Sequence, residues 1–222
     1  LLLAGFVAVG VALLGGGAAA AVALFEFPGR RTFEWALLLP MAMPAYVLAY
    51  AYTDFLQFSG PAQSALRTVT GLEGALWPDV RSLSGAVLLF VLCLYPYVYL
   101  LVRTSLAERG VQMMEAARLL GAGLWRRIGA VALPLSRPAL VAGVALALME
   151  TLADYGVGSY FGLTTFSTGI YKAWLVMNDR TAAAQLASLL LLLVALLLWA
   201  ERRARRHLRF ASTRAAAHSS GN

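Results

Sequence analysis

Glu150 and Asp154 stand four residues apart in an otherwise apolar run, so a helix there sets both carboxylates on one face. Acids in such a setting attract a cation, carry a proton, or sit at an interface where Asp154 is hydrated and Glu150 bonds within the bundle. The second group with chemistry is the run from Glu115 to Pro134, which carries Glu115, Arg118, Arg126 and Arg127. Its polarity requires water or another protein. Other chemistries find no residues. The one lysine, Lys172, is followed by Ala173, so the chain has no GxxxxGK[ST] phosphate loop with which to hydrolyse ATP. His207 and His218 lie in a basic tail without clustered ligands, which argues against a metal site, and no cofactor is expected. There is no GxSxG, and Cys93, alone in an apolar stretch, packs rather than forming an internal disulfide. A transport subunit, not an enzyme, is the reading these residues allow.

The elements that must position those groups are membrane helices. A chain of 222 residues that is 60% hydrophobic and 13% charged, with mean hydropathy +0.73, has more apolar surface than a soluble core of that size hides. Uncharged runs at Leu1 to Phe25, Ala36 to Thr53, Ser82 to Val102 and Thr181 to Ala200 approach or exceed the roughly 20 residues a span needs. A fifth, Pro138 to Ala153, is interrupted by Glu150. Of the 18 basic residues, 14 fall in 26–34, 103–137 and 201–214. Lysine and arginine are retained on the cytoplasmic side, so those segments are inside and the loops near Trp77 and Tyr160 face outward. The charge therefore reports topology rather than nucleic acid. Leu1 then lies outside, within a hydrophobic run that has no charged n-region of a signal peptide, and one further helix upstream would make six.

Along the chain, Gly5, Gly10 and Gly15-Gly16-Gly17 predict close helix contact and some local unwinding. Phe27-Pro28-Gly29-Arg30-Arg31 is a turn, with Trp35 an interfacial aromatic. Pro40 and Pro44 predict a kinked or broken helix, either lining the central path or merely packing. Tyr46, Tyr50 and Tyr52 approach the outer interface, and 54–81 forms an outer loop with a short interfacial helix at Ala62 to Val69. Pro96 predicts a second kink, and Arg103 an anchor at the inner face. In the polar island, Met113, Met114, Ala117 and Leu120 form the apolar face of a short helix ended by Gly121. Leu124 to Val131 then makes a second short helix with Arg126 and Arg127 toward water, and Pro134 and Pro138 start the next span. Residues 155–180 suit an outer or re-entrant segment, and Arg202, Arg203, Arg205 and Arg206 suit anionic lipid headgroups.

Glu115-Ala116-Ala117, then Gly121, then Val131-Ala132-Leu133-Pro134 resemble the signature loop of bacterial binding-protein-dependent ABC permeases, E-A-A, three residues, G, nine residues, I-x-L-P, with Val131 for Ile the one departure. The resemblance implies an all-α membrane protein with the type I ABC importer transmembrane fold. It assigns Glu115, Ala116, Ala117, Gly121, Leu133 and Pro134 to a coupling helix docked on a cytoplasmic ATPase. A periplasmic solute-binding protein, a second transmembrane half or subunit, and the lipid bilayer are the other implied partners. Leu38 to Tyr52, Leu94 to Leu100, Met149 to Gly156 and Thr165 to Tyr171 resemble the N-terminal half of the ferric-iron permeases, with thiamine and aminoethylphosphonate permeases close relatives. Residues 1–205 are then the permease domain and 206–222 a basic cytoplasmic tail, disordered or a linker to a second half. Pro40, Pro44, Glu150, Asp154 and Tyr155 are candidates for the path or the binding-protein contact. The rival classes are an ion-coupled carrier protonated at Glu150 and Asp154, and a membrane scaffold that recruits a partner through the island.

Overall fold

In lipid, a backbone without water must satisfy its own hydrogen bonds, and long apolar runs do so as helices. The computed structural model describes residues 1–219, and their side chains except at Glu108, Arg109, Val111 and 204–219. Four helices are long and apolar enough to span: α1 (Leu2–Leu24), α5 (Leu83–Ser105), the stretch Leu124–Ala153, and the Arg180–Arg203 part of the last helix. A fifth span is broken. It consists of α2 (Arg30–Ala36), a tight turn at Leu39–Ala42 and α3 (Ala45–Leu56), followed by α4 (Pro61–Thr70), and its two parts meet at 100°. The kinked or broken helix that Pro40 and Pro44 predict in the second run is thus found, as an elbow.

The elbow follows from its prolines and from α5. Pro40 has no N–H to give the Leu37 carbonyl across a tight turn, and the Tyr95 hydroxyl of α5 donates to that carbonyl instead, at 2.8 Å. Pro44 stands extended, ψ 143°, just before α3. Nearer the inner end, the Glu34 carboxylate accepts from Arg103 at 2.7 Å and from Arg30 at 3.1 Å. Arg103 is thus an ion-pair partner as well as an anchor.

Helix α5 is the centre of the bundle, with Val98 and Tyr99 fully buried and the chain helical through Pro96. Helices α1 and α8 (Leu133–Ala153) close on it from two sides at glycines. A Cβ on Gly15 would lie 2.6 Å from the Tyr95 carbonyl oxygen, and one on Gly143 2.6 Å from the Val98 Cα, so neither position admits a side chain. The glycines of α1 thus serve close contact, but the predicted unwinding is not found, since α1 is unbroken.

The predicted second short helix is also not separate. Helix α7 (Leu124–Arg127) runs through a wide turn, Ile128–Ala132, into α8 as one 30-residue helix. The Leu133 N–H reaches back five residues to the Ile128 carbonyl, which opens the helix just ahead of the Pro134 ring. Helix α4 appears where a short interfacial helix is expected, and α9 (Gly156–Tyr160) and α10 (Phe166–Tyr171) fold the segment after Asp154. The last helix, α11 (Arg180–Ser219), carries its backbone past position 205. The side chains of Arg205 and Arg206, and residues 220–222, lie outside the described residues, whereas the Arg203 guanidinium stacks on Trp199 at 5.5 Å.

Candidate functional site

Helix α6 (Val111–Leu119) ends in a glycine-dependent cap that builds the island from its own backbone. Gly121 takes φ +80°, which L side chains rarely adopt. In that conformation its N–H reaches the Arg118 carbonyl at 2.9 Å and the Ala122 N–H reaches the Ala117 carbonyl at 3.0 Å, the paired bonds of a Schellman motif. The chain then reverses into α7. Of the predicted apolar face, Met114 is buried and Ala117 half-buried, but Met113 and Leu120 point outward, 53% and 88% exposed. Residues 113 and 114 both lie within a turn of 117 on that face, so spacing does not separate them, and it is the packing of Met114 against the bundle that turns one methionine in and leaves the other out.

What the split leaves outside is an apolar rim. Leu119 is 89% exposed and Trp125 84%, and with Met113 and Leu120 they stand outward on the same α6–α7 segment as exposed Glu115 and Ala116. Glu115 has no hydrogen-bond or ion-pair partner among the described residues. Leu133 and Pro134, exposed at the start of α8, follow the same loop. The sequence reading missed Leu119 and Trp125. The signal for them was present, as large apolar residues bracketing the glycine turn in an arginine-rich loop. Arg126 faces water as expected, but Arg127 is half-buried, and its Nε has no hydrogen-bond partner among the described residues.

At the opposite end the candidates separate. Asp154 follows the last residue of α8, and its Oδ2 accepts from the Val157 N–H at 2.8 Å, capping α9. Burial raises its carboxyl above the ordinary range, opposed by the N–H groups of Val157 and Gly158. Tyr155 stacks on Tyr171 with ring centroids 4.3 Å apart, and neighbouring Gly156 packs on Tyr46 of α3. Glu150, one turn back in α8, is exposed and has no ion-pair partner among the described residues. Pro40 and Pro44 belong to the elbow and share no contact with Glu150 among the interactions described.

Against known families, residues 12–210 match the model for the binding-protein-dependent transport system inner membrane component. The chain belongs to that family. As such it is a multi-pass component of the bacterial inner membrane. Among curated relatives, PhnU of Salmonella paratyphi A, named for 2-aminoethylphosphonate transport, is 26% identical over 82% of this chain and 64% of its own length. ModB of Escherichia coli, a molybdenum transport permease, is 29% identical over 78% of this chain and 76% of its own. CysT of Escherichia coli, a sulfate transport permease, is 29% identical over 79% and 63%. This family member thus spans just under two thirds of the length of PhnU. In fold it is similar to a solved structure of the MetNI methionine ABC transporter in an inward-facing conformation, with a TM-score of 0.60 at 18% identity over 91% of this chain and 93% of that one.

Proposed function

We propose that the chain is the membrane-spanning subunit of an ATP-driven importer, with the Glu115–Pro134 loop on its cytoplasmic, arginine-rich side seated in a separate ATPase. A periplasmic binding protein delivers the solute to the outer loops, and a second transmembrane half or subunit completes the path. The observation that carries this reading is the exposed rim of Met113, Leu119, Leu120 and Trp125 on the same segment as Glu115, which has no ion-pair partner among the described residues. Such apolar exposure beside a charge, on a turn fixed by its own backbone bonds, has the makeup of a docking surface. For cargo, the names of the relatives favour a small anionic solute of the phosphonate or sulfate kind. Ferric iron draws support only from the resemblance of the flanking helices, and none of the three relatives above is named for it. The ion-coupled carrier is disfavoured because Asp154 is engaged as a helix cap.

Purifying the tagged protein from membranes in mild detergent tests this. An ATPase and a binding protein are expected to accompany it, and ATP hydrolysis should rise several-fold with one of 2-aminoethylphosphonate, sulfate, molybdate or ferric citrate. Uptake that needs no ATPase and collapses with a proton uncoupler would replace this reading with the carrier.

A further inference from the structure

Two cavities of similar size share one wall at the outer end of the bundle. The wall is Leu56 with Trp77, Pro78, Asp79 and Val80, and the Trp77 indole N–H fixes it by donating to the Leu56 carbonyl at 2.8 Å. On one side is an apolar cavity of about 480 Å³ that runs along α5 past Ser84, Leu88 and Leu92. Those three are four residues apart and form one stripe, so the groove descends about 12 Å from the outer surface into the hydrocarbon layer. On the other side is a polar cavity of about 470 Å³ lined by Thr53, Gln57, Ser59 and Arg81.

The polar side holds an unanswered group. Thr53 is 3% exposed, and its hydroxyl has no hydrogen-bond partner among the described residues. A buried hydroxyl is ordinarily satisfied, so one that lines a cavity and is not points to a ligand. Both signs of charge stand there as well. Asp79 uses Oδ1 on the Arg81 backbone N–H at 3.0 Å and accepts nothing else among the described residues. Arg81 lies over the Tyr160 ring at 4.4 Å and donates from one nitrogen to its hydroxyl.

We infer that this double cavity binds a zwitterionic phospholipid of the outer-facing leaflet, an acyl chain along Ser84, Leu88 and Leu92 and the headgroup beside Thr53, Asp79 and Arg81. An apolar slot beside a polar one, the two divided only by the Trp77 wall at the membrane boundary, fits an amphiphile that straddles that wall and no simple solute. Asp79 suits an ammonium, while Arg81 and the Thr53 hydroxyl suit a phosphate. A purely anionic headgroup would meet Asp79 unfavourably. The inference needs only the spanning placement of α5 and is independent of the cargo and of the ATPase.

Trp77 in the shared wall is the probe. With Trp35, Trp125, Trp174 and Trp199 changed to Phe, the protein is reconstituted into phosphatidylglycerol vesicles doped with brominated phosphatidylethanolamine, or into the reverse mixture. At equal bromine content, brominated phosphatidylethanolamine should quench Trp77 about threefold more than brominated phosphatidylglycerol does. Asp79→Asn should remove that preference while chain quenching persists, and Leu88→Phe should reduce quenching by both. Equal quenching by the two lipids would mean ordinary bulk contact, and absence of quenching would mean that protein covers the groove. Either result overturns the inference. Native mass spectrometry on the wild-type complex gives a second reading that needs no tryptophan change. Retained phosphatidylethanolamine that Asp79→Asn releases supports the site, and its absence from the wild type overturns it.

Discussion

Glu34 shows how one side chain ties distant parts of the sequence together. It is 18% exposed, pairs with Arg30 on its own short helix, and pairs with Arg103 across 69 positions. Nothing in the residues flanking Glu34 signals that pairing, which is why the sequence reading passed over it and saw Arg103 as a lone anchor. Glu34→Gln keeps the shape but removes the charge, and should lower stability by about 1 kcal/mol, read as a lower melting temperature in detergent. Asp154 teaches the converse. Its spacing from Glu150 suggests a proton or cation site, yet its oxygen is spent on the Val157 N–H. Asp154→Asn, which still accepts a hydrogen bond, should leave uptake within about twofold of wild type, while Asp154→Ala should cost about 1 kcal/mol of stability. Loss of uptake in the Asn variant would revive the carrier reading.

At the scale of elements, lipid made the spans legible, because an uncharged run of the right length has one backbone solution there. Pro40 and Pro44 marked where the second span breaks. The 100° turn did not follow from them, since its direction depends on Tyr95 of α5 reaching the Leu37 carbonyl and on Glu34 of α2 pairing with Arg103 of α5. Pro134 misled in a different way. It read as a helix start, but the wide turn at Ile128–Ala132 lets the helix begin at Leu124 and pass through it. The island's face was misjudged because composition cannot say which of two adjacent methionines turns inward, and only the packing of Met114 decided it. Glycines give the cleanest test of the packing around α5. Gly143→Ala places a methyl against the Val98 backbone and should destabilise the bundle by about 1–3 kcal/mol, whereas Gly17→Ala, with nothing within 4 Å, should be neutral or slightly stabilising through helix propensity. Comparison of the two melting curves in one detergent checks both.

Over the whole molecule, the arrangement separates tasks by end. The outer end holds capped short helices and stacked tyrosines around Asp154, the middle holds close-packed α1, α5 and α8, and the arginine-rich end holds the exposed rim. Under the proposed function, that plan would let work arrive at one end and a solute at the other. A partner shifts such a protein between states only if its contacts differ between them, and the Gly121 turn is the element through which this loop would feel the difference. A β-branched residue at Gly121 finds open space but a forbidden backbone, so it strains the turn by about 1–2 kcal/mol without touching the bundle. The most direct test is solute uptake per ATP hydrolysed, measured in vesicles holding the complex with wild-type chain or Gly121→Val. With Gly121→Val the ratio should fall by about tenfold or more while the chain still inserts and the ATPase is still present. An unchanged ratio with the ATPase attached would contradict it.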